Sequence, residues 1–164
     1  MAKNSGGTRS LRPKNIKEAV YKKIDSLYKN GFTNENVFMK LKNSKEAMEF
    51  RKLKNQIISG KDIWDINNDK VVNEIKKRGH IVNADVNRLI SAQDYLNKEQ
   101  VAKYMSKEDY DGIVGFGLSG TDKVILVDGN HRAAAAKING MKTVPVKILT
   151  ISNENLFKAT RKAK

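Results

Sequence analysis

The chain has 164 residues, 39% of them hydrophobic and 30% charged, which fits one domain with a packed core, or one domain with a helical extension. It holds no cysteine, so disulfides, thiolate chemistry and cysteine-based zinc sites are excluded; no apolar run approaches the roughly 18–20 residues that cross a membrane. The formal net charge is +14, and it is lopsided: residues 1–80 hold 19 Lys and Arg against 9 Asp and Glu, residues 81–164 hold 13 against 9.

A basic excess of this size attracts polyanions whatever their sequence, so nucleic acid, and DNA first, is the expected partner. The alternative is a merely solvated lysine-rich surface. The opening MAKNSGGTRSLRPKN lacks the apolar stretch of a secretory signal, and a cytoplasmic location is expected.

Residues 1–13 are rich in Gly, Ser and Arg and are expected to form a flexible basic arm. Residues 14–79 read as a helical basic region. Ile16, Val20, Ile24 and Leu27 recur at helical spacing from Pro13 onward, and Asn30-Gly31 stops them. A short helix follows Thr33, with Val37, Phe38 and Leu41 on one face. Ser44 caps a third, whose stripe is Ala47, Phe50, Leu53 and Ile57 and whose end is Gly60. Trp64 lies in the connector KDIWDIN, as a core or inter-layer anchor rather than a base-stacking residue. Asn68 caps a fourth helix on Val71, Val72 and Ile75, closed by Gly79.

The pattern changes after Gly79. HIVNADV reads as a strand with His80 at its edge, NRLISAQDYL is mixed, and Asn97 caps the helix KEQVAKYM. GIVGFGL and KVILVD flank the turn SGTD and form a hairpin or two successive strands. An alanine-rich helix follows, then the strand TVPVKILTI and a basic tail over residues 151–164. The fold class is α+β: a small mixed sheet in residues 80–150, preceded by basic helices.

The run G-F-G-L-S-G at 115–120 spells a dinucleotide fingerprint but lacks its context. The fingerprint needs a helix after it, and here β-branched TDKVILVD follows, so the glycines are strand and turn residues. The run V-D-G-N-H-R-A-A-A-A-K-I-N-G at 127–140 has a better context: a strand, a tight turn at Gly129, and a helix closed by Gly140. A helix N-terminus offers unpaired N–H groups and the positive end of the dipole, which suits an anion. Asn130 is the expected N-cap. His131 and Arg132 add cationic donors where the dipole disfavours them, which makes sense if a phosphate neutralises both. On the residues alone, a plain strand–turn–helix with solvated His and Arg also stands.

The stretch V-D-G-N-H-R-A-A-A-A-K-I-N-G-x-x-x-V-P-V resembles the signature of the ParB/sulfiredoxin superfamily, and L-I-S-A-Q-D-Y-L-N-K-E-Q-V-A-K-Y-M upstream is similar to the matching part of those domains. The resemblance spans about residues 80–150. It implies a nucleotide or phosphate pocket, with ATP or CTP as the nucleoside triphosphate and Mg²⁺ as its companion. Arg132 would clamp phosphate oxygens. His131 would donate to phosphate or act as general acid or base, Gly129 and Asn130 would offer backbone N–H groups, and Asp128 would be a turn former, a base or a metal ligand. Gln93 and Asp94 lie where the family contacts its ligand, and Asp94 would help hold Mg²⁺.

Relatives of this kind include DNA-partition proteins, ATP-using sulfiredoxins, a free-serine kinase and nucleases. Sulfiredoxin chemistry is excluded, because its cysteine position is Asn130 here. Partition proteins usually carry Arg-Arg where this chain has His131-Arg132, followed by a helix-turn-helix reader, so a self-loading DNA clamp is not expected. The opening N-S-G-G-T-R resembles the starts of some phage and mobile-element proteins. Three functions remain: a nucleotide- or phosphate-binding domain that works with DNA; an enzyme of the same fold, either a metal-assisted nuclease or an ATP-dependent phosphotransferase; and a phage structural or interaction protein.

Overall fold

A computed structural model describes residues 11–41, 44–60, 66–91 and 95–151. The expected arm up to residue 10, Trp64, Gln93, Asp94 and the tail from 152 lie outside the described residues. The fold is α+β, with helices on both faces of a small mixed sheet.

Helix α1 spans Leu11–Leu27, starting two residues before the expected Pro13. Proline is tolerated there because first-turn N–H groups have no intrahelical partner. Helix α2 is a single turn, Asn34–Val37, whose Thr33 side chain accepts the Asn36 N–H at 3.2 Å. It does not continue to Leu41 as expected. Phe38 turns extended, and Met39–Lys40 form strand β1, so buried Phe38 and Leu41 reach the core from non-helical backbone. Helix α3 covers Ser44–Ser59 and α4 covers Asn68–Arg78. The cap of α4 is Asn67, not Asn68: its Oδ1 accepts the Asp69 N–H at 2.8 Å. Two adjacent asparagines carry the same signal, and backbone geometry chooses between them. Lys76, Lys77 and Arg78 sit at the negative end of its dipole. Gly79 lets the chain leave α4 tightly, since a Cβ there would lie 2.3 Å from the Ile148 carbonyl oxygen.

The remaining strands are β2 (His80–Asp85), β3 (Leu89–Ser91), β4 (Val114–Leu118), β5 (Val124–Asp128) and β6 (Thr143–Ile151). Helix α5 is Lys98–Lys107 and α6 is Asn130–Ile138. The sheet order is β1-β3-β5-β4-β6-β2. Pairs β4–β5 and β6–β2 are antiparallel, and the others parallel. GIVGFGL and KVILVD thus form a true hairpin. No helix follows 115–120, in keeping with the rejected fingerprint.

Strands β2 and β3 stand four places apart in this order, yet only the short 3₁₀ turn Val86–Arg88 joins them. A flat sheet would separate them by roughly 19 Å, while four extended steps reach about 14 Å. The sheet therefore curls, and Arg88 faces Asp122 at 3.6 Å beside the β4–β5 turn.

Alternation along β5 feeds two cores. Val124 and Leu126 pack with Ile24, Val101, Met105 and the alanines of α6. Ile125 packs on the other face with Phe50, Val71, Ile75 and Phe116. The N-terminal helices thus share both cores with the sheet. Residues 133–136 are fully buried alanines, and their small side chains let α6 lie close to the strands. This seats the first turn of α6 firmly beyond the end of β5. No described helix is long and apolar enough to cross a membrane.

Candidate functional site

The site grows from the junction of β5 and α6. Gly129 takes φ +85°, and a Cβ there would lie 2.9 Å from the Ile113 Cα. Only glycine combines that dihedral with that closeness. Gly129 also occupies the N-cap position of α6, without a side-chain cap.

This corrects the expected cap. Asn130 is the first helical residue, and its side chain turns inward. It is 1% exposed, and its Oδ1 accepts the Ser91 hydroxyl at 3.1 Å. Its Nδ2 is buried without a hydrogen-bond partner. The left-handed turn at Gly129 moves the cap one residue earlier and carries Asn130 under the end of the sheet. Of Asn130, only the backbone N–H can serve the helix N-terminus.

His131 and Arg132 remain at a cavity of about 380 Å³, lined also by Tyr95, Asn97, Gln100, Tyr104, Asp128 and Gly129. The His131 Nε2 accepts the Asn97 backbone N–H at 2.9 Å. Burial pushes its imidazole below the ordinary histidine pKa. The Asn97 bond acts the same way, because imidazolium has no lone pair to receive it. His131 is therefore neutral at pH 7 with its proton on Nδ1, where it is a donor.

The Arg132 guanidinium lies 4.7 Å from the centre of the Tyr104 ring, a cation–π stack. Its Nε stands 3.7 Å from the Asp109 Oδ2, too far for a hydrogen bond, and is buried without one. Tyr104 and Asp109 thus hold the arginine in place at the cavity wall. Asp128 is exposed at the rim.

Two helix N-termini meet here. Asn97 caps α5 by accepting the Gln100 N–H at 2.9 Å, and Asn97 and Gln100 line the same cavity as the first turn of α6. Both dipoles place their positive ends at this wall.

Four of the six expected binding residues thus gather at the turn, Asn130 by its backbone alone. Gln93 and Asp94 are outside the described residues. The expected Mg²⁺ partner Asp94 is therefore not placed, and among the described residues no three His, Asp or Glu side chains gather as metal ligands. His80 opens β2 opposite Ile148 and is exposed, away from the cavity lining.

Sequence reasoning assigned no site role to Tyr95, Gln100, Tyr104 or Asp109. Asn97 was visible only as a cap and Tyr104 only as the end of a helix. A second cavity of about 300 Å³ lies between β2 and the β4–β5 turn. Three of its polar groups are locally engaged: Asp85 accepts the Asn87 N–H, Thr121 donates to the Leu118 carbonyl, and Asp122 faces Arg88. No protein-family model matches the chain, and no curated protein matches it in sequence.

Proposed function

We propose that the protein binds the phosphate of a nucleotide or nucleic acid at the N-terminus of α6 and works with DNA. The observation that carries this reading is the convergence of Arg132, His131 and the first-turn N–H groups of α6 on one cavity. A guanidinium beside a helix N-terminus is favourable around an anion, and here only the Asp109 carboxylate and the Tyr104 ring offset its charge. The resemblance to ParB/sulfiredoxin domains supports the same ligand class. The basic excess of residues 1–80 supports a nucleic-acid partner.

The geometry favours binding over catalysis by His131. Its one basic nitrogen already receives the Asn97 N–H, so the side chain serves as donor rather than base. A nuclease or phosphotransferase would need that bond to break, or another base such as Asp128.

Calorimetry with ATP, CTP, GTP, ADP and inorganic phosphate, with and without Mg²⁺, tests the reading on wild type and Arg132→Ala. We expect binding by wild type and at least a tenfold loss in the variant, since a charge-assisted bond contributes about 1.5–3 kcal/mol. Equal affinities, or no ligand bound by wild type, would refute it. A DNA affinity that falls steeply with salt would support the second half.

A further inference from the structure

Among the described Phe and Tyr side chains, Tyr95 alone is exposed, at 64%. It lines the cavity that holds Arg132 and His131. A tyrosine left this open gains little from burial, and what distinguishes it is its place at the cavity. The ring is also held. Its hydroxyl oxygen accepts a hydrogen bond from Asn97 Nδ2 at 2.7 Å, and the Oδ1 of the same amide caps α5. His131 meets the ring at 66° with centroids 6.4 Å apart, an edge contact that braces it without stacking. The neighbouring Tyr104 ring is already occupied by the Arg132 guanidinium. Tyr95 is thus a fixed, unstacked aromatic surface beside an anion cradle.

Inorganic phosphate has no use for such a surface. A nucleobase does: stacking on an aromatic side chain is sequence-tolerant, because every base has a π-face. We propose that Tyr95 is a base-stacking platform for the nucleotide whose phosphate Arg132 and the α6 N-terminus hold. This rests on the phosphate reading above. A free nucleotide and a nucleotide at the end of a single strand share this chemistry.

The test is calorimetry on the full chain with three probes: a set of nucleoside 5′-diphosphates, inorganic pyrophosphate, and a 5′-phosphorylated single-stranded oligonucleotide. Tyr95→Ala should weaken nucleotide binding about 5- to 150-fold, the range that loss of one stack produces, and leave pyrophosphate within about twofold. Tyr95→Phe keeps the ring, loses the Asn97 bond and should stay within a few-fold of wild type. It preserves the test should Tyr95→Ala fold poorly, and wild type must then bind nucleotide tighter than pyrophosphate. In the supporting case, the tighter of strand and free nucleotide names the natural source. A parallel loss of pyrophosphate in Tyr95→Ala, no loss of nucleotide, or wild-type preference for pyrophosphate would overturn the platform while leaving the phosphate site standing. Failure of wild type to bind any of the probes would overturn both.

Discussion

Replacing Gly129 with alanine tests whether the turn that seats the site is as constrained as its geometry implies. Two terms add. Alanine at φ +85° adopts the left-handed region, which costs about 1–2 kcal/mol. Its Cβ would also lie 2.9 Å from the Ile113 Cα and 3.3 Å from the Gly112 carbonyl oxygen. Both are backbone atoms that cannot rotate aside, and Ile113 is buried, so relief requires moving β4 or α6 at about 1–3 kcal/mol. The total is about 2–5 kcal/mol, out of the roughly 5–15 kcal/mol a domain has. With a urea slope near 2 kcal/mol per molar, the midpoint should fall by about 1–2.5 M. Gly120→Ala is the internal control. Its φ is +76°, but no atom lies within 4 Å of its Cβ position. It carries only the dihedral term and should lose about 0.5–1 M. Urea unfolding followed by far-ultraviolet circular dichroism reads both. Equal shifts for the two variants would refute the close approach at Gly129, and so the claim that this turn is held rigid.

His131 and Asp109 give two further outcomes. The folded-state pKa of His131 is lowered, so its contribution is present above the unfolded value near 6.5 and is lost as pH falls through the folded value; the melting-temperature advantage of wild type over His131→Gln should therefore shrink between pH 7 and pH 5, and a gap that widens on acidification would contradict a neutral, Asn97-bonded imidazole. Asp109→Asn removes the carboxylate that competes for Arg132, and phosphate affinity by calorimetry should rise up to about fivefold, the scale of a half-exposed ion pair; a fall would mean that Asp109 chiefly holds Arg132 in place.

Much of the secondary structure was legible because its signals are local. Thr33 and Asn97 cap helices where their side chains announce it, and Gly79 ends α4. The alternation in KVILVD is that of a strand seen by two cores. Expectations slipped where a local signal was duplicated or overruled. Asn67 and Asn68 compete for one cap, Pro13 tolerates an earlier helix start, and pairing with β3 pulls Met39–Lys40 out of the expected helix.

The sequence by itself determined that residues 127–140 form a strand, a glycine turn and a helix carrying His and Arg in its first turn, since each of those features depends on neighbours a few positions away. Tertiary structure alone decided what faces them. The curl of the sheet brings β2 and β3 together through a three-residue turn. The packing of α5 against α6 sets Asn97 on His131 and Tyr104 under Arg132, with Asp109 beside it, across separations of more than twenty residues. The Gly129 turn carries Asn130 inward onto Ser91 of β3, and Tyr95 is left open at the mouth. Such contacts depend on how buried apolar surfaces choose to meet, and no periodicity along the chain encodes that choice.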